Sequence, residues 1–227
     1  KRKDLLAFLS NYPDITIAME ACSGSNYWGR TLEKMGFKVL LIPPIHVKPF
    51  VKGNKNDRND AFAITEAARR PNMRFVSPRS LEQTDMMMLH KIRERRVSAR
   101  VDLTNQLRGV LSEYGIVLSP GKSVLKNSLD DLLGDGENGL TIPVRFLIQD
   151  IQQEWKLLDD DIDKLDKQLK AEALSNPDSK RLMTIRGVAE KTATAVVAFA
   201  GKGQAYKNGR HFSANLGLVP KEHSSGG

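Results

Sequence analysis

Cysteine is nearly absent from this chain of 227 residues: Cys22 stands alone, which excludes a disulfide-stapled miniprotein and agrees with a cytosolic setting. Long apolar runs are missing as well. The most hydrophobic stretches, 38–44 and 194–200, fall far short of the roughly 20 residues needed to span a bilayer, and no signal-peptide pattern opens the chain. Neither a membrane protein nor a secreted one is expected. Aromatic residues make up only 6%, so ring stacking is not expected to dominate the recognition of a partner. In contrast, positive charge is plentiful. Lys and Arg number 35 against 27 Asp and Glu, a net charge of +8, and the pI is about 9.6, which makes a polyanion the natural partner. With 40% hydrophobic residues there is material for one large or two modest cores. The chain starts at Lys1 and stops at Gly227 directly after "KEHSSGG", and both ends read as cut.

Local patterns divide the chain into three regions. In the first, Leu5, Leu6, Phe8 and Leu9 precede Tyr12-Pro13 and predict the end of an amphipathic helix. "ITIAMEA" (15–21) predicts a strand whose last polar residue is Glu20. "SNYWGRTLEKMG" (25–36) predicts a helix, with Ser25 as cap candidate, a stripe at Trp28, Leu32 and Met35, and Gly36 as stop. "KVLLIP" then predicts an apolar strand of the kind buried on both faces. Strand, helix and strand over about 30 residues make a βαβ unit with a parallel pair, hence an α/β domain.

In the second region, 80–114 lacks Pro and Gly until Gly109, and Leu89, Ile92, Ala99, Leu103 and Val110 recur at heptad-like spacing, predicting one long helix. A linker, "LLGDGENGL", separates it from a helix starting near Pro143. There Ile148, Ile151, Trp155, Leu158, Ile162, Leu165 and Leu169 alternate spacings of three and four, a coiled-coil seam, or else the face of a helix packed in a bundle. The two long helices are expected as an antiparallel pair or a dimer arm. In the third region, "LMTIRGVAEKTATAVVAFAG" (182–201) predicts a helix, a tight turn at Gly187 and a helix from about Ala189. It is either a helix-hairpin-helix, in which the turn amides with Arg186, Gly187 and Lys191 face a phosphate, or an αα-corner in a core.

Asp57 and Asp60, at i and i+3 of a predicted helix start, point the same way among Lys55, Arg58, Arg69 and Arg70. Two carboxylates so close repel unless a cation sits between them, or unless Asp57 caps the helix and Asp60 complements its dipole. Glu20, an acid at the end of a strand, favours the first reading. Hard cations such as Mg²⁺ take oxygen ligands and support in-line displacement at a phosphate, and three carboxylates supply most of such a site.

"AMEACSGSNYW" (18–28), "NKNDRNDAFAI" (54–64) and "LGLVPKEHSSGG" (216–227), in this order, resemble the transposases of the IS110/IS1111 family, the DEDD recombinases that include the Piv-type invertase. The resemblance covers essentially the whole chain. It implies a RuvC-like, RNase H-like α/β domain over 1–79, whose metal-binding Asp, Glu, Asp, Asp set places its last three members on Glu20, Asp57 and Asp60 and its first upstream of Lys1. It implies further that 80–176 is a helical coiled-coil arm and that 177–227 starts a mainly helical transposase domain with a catalytic serine. Ser225, which directly precedes Gly226, is the favoured nucleophile and Ser224 the second choice; His223 is a candidate proton carrier, or a solvated loop residue. The implied partners are donor and target DNA, a guide RNA encoded by the element, and further copies of the chain in a dimer or tetramer. Lys91, Arg93, Arg95, Arg96 and Arg100 on the long helix would meet a nucleic acid backbone, or be a solvated face partly neutralised by Glu94 and Asp102. A structure-specific nuclease that uses water, and a non-catalytic nucleic-acid scaffold, are the alternative functions.

Overall fold

The computed structural model describes residues 2–54, 56–203 and 206–218. Contacts divide the described chain into two compact units: residues up to Thr84 together with those from Ala200 onward, and Asp85–Phe199.

The first unit opens with α1 (Arg2–Leu9), followed by β1 (Thr16–Glu20), α2 (Ser25–Lys34) and β2 (Lys38–Ile42). The strands pair in parallel, Thr16 opposite Lys38 and Glu20 opposite Ile42, as the strand–helix–strand pattern requires. Only the end of β2 is fully buried, at Leu41 and Ile42, because among the described residues the sheet has only two strands. Gly24 rather than Ser25 holds the N-cap position of α2, at φ 85°. Ser25 lies inside the helix, buried, and its hydroxyl donates to the carbonyl of Cys22 at 2.7 Å. On α2 Leu32 is buried, whereas Met35 is exposed, and Gly36 at φ 91° ends the helix as expected.

After β2 come α3 (Pro44–Val47), a short 3-10 turn (Lys48–Phe50) and α4 (Asp57–Ala68). Helix α4 packs against both strands. Its contact residues are Ala63 and Ala67, which join Ile42 and Val47 in one core; small side chains here let the helix axis approach the sheet closely. The chain then returns along β2 through a bridge between Leu41 and Val76. Asn26 accepts from the Arg79 amide at 2.9 Å, and Arg30 donates to the Arg79 carbonyl at 2.5 Å. Pro78 occupies the space a side chain at Gly29 would need, a Cβ there falling 2.6 Å from its Cγ.

Helix α5 (Leu81–Glu113) leads into the second unit, with α6 (Lys122–Gly134), α7 (Ile142–Ser175), α8 (Pro177–Leu182) and α9 (Glu190–Ala200); α10 (Gly209–Asn215) follows in the first. The core of the second unit is built from Leu103, Leu107 and Leu111 of α5, Leu125 and Leu129 of α6, and Ile148, Trp155 and Leu158 of α7. Helix α6 is absent from the sequence expectation. The α5 stripe also differs: its buried members follow i, i+4 steps from Leu103, while Ile92 is exposed. Along α7, Ile148, Trp155, Leu158, Ile162 and Leu169 are buried, as either a seam or a bundle face requires. Ion pairs fix the relative direction of the long helices: Arg93 meets Asp166, Arg96 meets Asp161 at 3.2 Å, and Arg100 meets Asp159 at 2.7 Å. Rising numbers on one side face falling numbers on the other, so α5 and α7 are antiparallel.

At one end of that ladder His90 Nε2 lies 3.0 Å from the hydroxyl of Thr194, a buried residue of α9. The Thr194 hydroxyl donates to the carbonyl of Glu190 at 2.8 Å, so the imidazole Nε2–H is the donor in this pair. Burial, reinforced by the positive charge of Arg93, holds the His90 pKa below its ordinary 6.5. A folded-state value below the unfolded one means that the unfolded chain takes up the proton first, so stability falls as pH drops below about 6.5. The melting temperature is expected to decline between pH 7.5 and 5.5, and His90→Gln to flatten that decline. An unchanged slope in His90→Gln would assign it to other groups.

Candidate carboxylate site and nucleic-acid surfaces

Asp57 and Asp60 occupy the first turn of α4. The cap is neither of them. Asn56, in extended conformation before the helix, accepts the Asn59 amide on its side chain at 2.8 Å. Asn59 in turn donates to the carbonyl of Asn54 at 2.8 Å, and Asn56 donates to the same oxygen at 3.3 Å. These three asparagines clasp the loop to the helix and set where the two aspartates begin, a cap of this kind contributing about 1 kcal/mol. In the sequence the charged residues between them mask these asparagines, and an Asn three positions before another Asn at a helix start is the one signal of the clasp.

With capping assigned to Asn56, the aspartate side chains have no hydrogen-bond or ion-pair partner among the described residues, and neither does Glu20. Asp60 shares the helix face of Ala63 and Ala67, which is turned to the sheet, and is itself half-buried; Asp57 is exposed. Glu20 is the register partner of Ile42, and Ile42 packs in the same core as Ala63, one turn from Asp60. Glu20 closes β1, and Asp60 stands one helical turn before a residue that packs on Glu20's register partner. The helix dipole supplies part of what two adjacent negative charges need. Among the described residues, however, no three His, Cys, Asp or Glu side chains lie close enough to hold a metal ion. The residues present do not by themselves complete an ion site.

The basic residues fall into two groups. Arg93, Arg96 and Arg100 face the aspartates of α7, and Lys191 reaches Asp166 at 2.8 Å. Burial raises the Asp166 carboxyl, but hydrogen bonds from Arg93 and Lys191 outweigh it and hold the group below the ordinary carboxylate range. Lys91 and Arg95 point outward from α5, exposed, as does Arg58 at the head of α4. Arg186 and Gly187 are exposed in the turn between α8 and α9, where Gly187 has φ 88°. A helix, a turn and a helix follow in the expected order, but the first helix lies earlier than expected: α8 ends at Leu182, and 183–189 form the connection to α9. Lys55, His223, Ser224 and Ser225 lie outside the described residues.

Comparisons with known proteins cover both halves of the chain. A family model of IS110-type DEDD transposases, described as "Transposase", matches residues 1–116, and one described as "Transposase IS116/IS110/IS902 family" matches residues 179–227. The transposase for insertion sequence element IS1111A of Coxiella burnetii is 41% identical over 226 residues, covering 100% of this chain and 62% of that protein. A probable family 20 transposase of Pseudomonas aeruginosa is 38% identical over 228 residues, with 100% and 68% covered. The transposase for insertion sequence element IS1328 of Yersinia enterocolitica is 37% identical, with 100% and 67% covered. The chain thus spans about two thirds of the length of these relatives. Two family matches in chain order, together with similarity to these transposases over the whole of the given sequence, place this chain in the IS110 transposase family.

Proposed function

We propose that this chain belongs to a DNA transposase of an insertion sequence, one that cuts and exchanges DNA strands with its carboxylates and a serine nucleophile. The observation that carries the reading is the set of carboxylates at Glu20, Asp57 and Asp60, unpartnered among the described residues although Asn56 has taken over capping. Acids kept ready in a chain of net charge +8 fit a polyanionic substrate better than a structural duty.

In this reading the first region is a RuvC-like domain and the antiparallel α5–α7 pair is a coiled-coil arm that brings two or four copies together. The DEDD family points to divalent metal chemistry in general; Mg²⁺ is the ion that hard carboxylate oxygens would take, and holding it would require Glu20, Asp57 and Asp60 to draw together with a further acidic residue. A serine of the tail, Ser225 in preference to Ser224, attacks a DNA phosphate through its oxygen. The bond from phosphorus to the 3′ oxygen breaks, the hydroxyl proton passes to that oxygen through a base and an acid, and a 5′-phosphoserine bond remains for strand exchange. Contact with DNA, and with an element-encoded guide RNA, falls to the exposed Lys91, Arg95, Arg58, Arg186 and Gly187, and to Lys55 on the strength of its charge. Arg93, Arg96, Arg100 and Lys191 serve mainly to join helices. No helix among the described residues is long and apolar enough to cross a membrane, and a cytosolic setting is part of the proposal.

The test is covalent trapping: the complete protein, its RNA and a nicked donor DNA in Mg²⁺, comparing the parent with Ser225→Ala and Ser224→Ala. An adduct lost in one serine variant identifies the nucleophile. Cleavage without an adduct in any variant would hand the reaction to water and a hydrolytic nuclease.

A further inference from the structure

Helix α4 has a second face that the carboxylate chemistry does not use. Arg58 and Phe62 are four residues apart and Arg69 follows seven later, so the three side chains line one side of the helix, away from buried Ala63 and Ala67. All three are exposed, Phe62 with 52% of its surface open. Neither arginine side chain has an ion-pair partner among the described residues: Arg58 stands between Asp57 and Asp60 without pairing to either, and Glu66, three residues before Arg69, is held by Arg70 at 2.9 Å. Arg70 is occupied further, lying over the Phe50 ring at 5.2 Å. Phe62 packs against no other ring there. A phenylalanine half open to water forgoes part of the roughly 2 kcal/mol that full burial supplies, and flanking it with two arginines outside any ion pair among the described residues favours an anionic partner with a flat apolar surface. An unpaired nucleotide has both. In a duplex the base faces are stacked away, so a lone ring on a helix has nothing to stack on.

We propose that Arg58, Phe62 and Arg69 form a docking face for an unpaired stretch of DNA leading to the carboxylate end of the sheet. Phe62 stacks on a base and the two arginines hold flanking phosphates. DNA is the occupant because the same helix starts with Asp57 and Asp60, so a strand lying along this face runs toward the groups that the proposed function assigns to cutting. The inference rests on that reading.

The experiment measures binding of the 227-residue chain to a labelled oligothymidylate, an oligouridylate of equal length and a mixed-sequence duplex, by fluorescence anisotropy across a salt series. Removing one stacking partner is worth about 1–3 kcal/mol, so Phe62→Ala is expected to weaken oligothymidylate binding about 5- to 150-fold while duplex binding stays unchanged. Phe62→Trp restores affinity, and its added emission is quenched on binding. Arg58→Ala with Arg69→Ala weakens every ligand and lowers the single-strand salt slope by about 1.4. Phe62 is exposed, so its variants keep the parent's melting curve. Equal losses for single strand and duplex, or no loss, overturn the proposal, and a larger loss for oligouridylate than for oligothymidylate overturns the choice of DNA. A parent that binds no DNA defeats the proposed function itself, whereas a binding parent indifferent to Phe62→Ala defeats the docking face alone.

Discussion

Asp60→Asn in the complete protein is expected to reduce DNA strand cleavage by about two to three orders of magnitude, the usual effect of removing one charged group from a catalytic constellation. Binding of DNA should hold. The substitution keeps the size and shape of the side chain and removes only its charge, at a position half-buried against the sheet and unpartnered among the described residues. Asp57→Asn is expected to behave alike. Melting provides the control. If the two acids merely complemented the helix dipole, each Asn variant would lose about 0.3–1 kcal/mol of stability and no activity; if they are held ready for catalysis, relief of their mutual repulsion leaves stability equal or higher while cleavage collapses. Wild-type cleavage in both variants would remove the carboxylates from the mechanism.

The largest change in stability is expected from Arg145→Ala. This residue stands in the first turn of α7, and its guanidinium gathers the whole 132–140 connection. Nε donates to the carbonyl of Leu140 at 3.1 Å, Nη1 to those of Leu132 and Leu133 at 3.1 and 2.9 Å, and Nη2 to the Asp135 carbonyl and the Asn138 side chain, both at 2.6 Å. The last carbonyls of α6 have no intrahelical partner, so one cation satisfies the end of one helix from the start of the next. Alanine strands several of these acceptors at the edge of the Leu125–Leu129 core. A loss of about 2–4 kcal/mol follows, which for a chain of this size lowers the melting temperature by about 5–15 °C. Arg145→Lys, with a point charge in place of the fork, should recover only part of it. A shift under about 1 kcal/mol would mean that water replaces the guanidinium at little cost.

The same connection marks the limit of what the sequence discloses. "GDGENG" is correctly legible as a break between helices, because Gly and Asn favour turns. Nothing local links it to Arg145, since the contact depends on α6, whose Leu125 and Leu129 are too few to define a helical stripe alone. In contrast, β1, α2 and β2 are legible because a period of two, then 3.6, then an unbroken apolar run follow in close order. Ser25 misleads, since a serine within a helix and a serine capping it look alike until the Gly24 backbone is known. At the carboxylates the residue types point to the chemistry, while the asparagine clasp does not, because capping by Asn56 and by Asp57 are equally plausible in a string of letters. Along α5, charge alone makes Arg93, Arg96 and Arg100 equivalent to Lys91 and Arg95; only α7, some sixty residues later, separates those with an acidic neighbour from those without.

The antiparallel course of α5 and α7 also has a metric meaning. From Arg93 to Glu113 the chain advances 20 residues, which at 1.5 Å each carries it about 30 Å from the Arg93–Asp166 rung, and α7 brings it back. The excursion runs from a foot locked by charge to a tip near Glu113, beyond which α6 packs Leu125 and Leu129 back onto both long helices. A label or short insert placed at the tip sits about nine base-pair steps of duplex away from one placed at the foot, so the pair would serve as a molecular ruler for how far bound DNA extends along this helical hairpin.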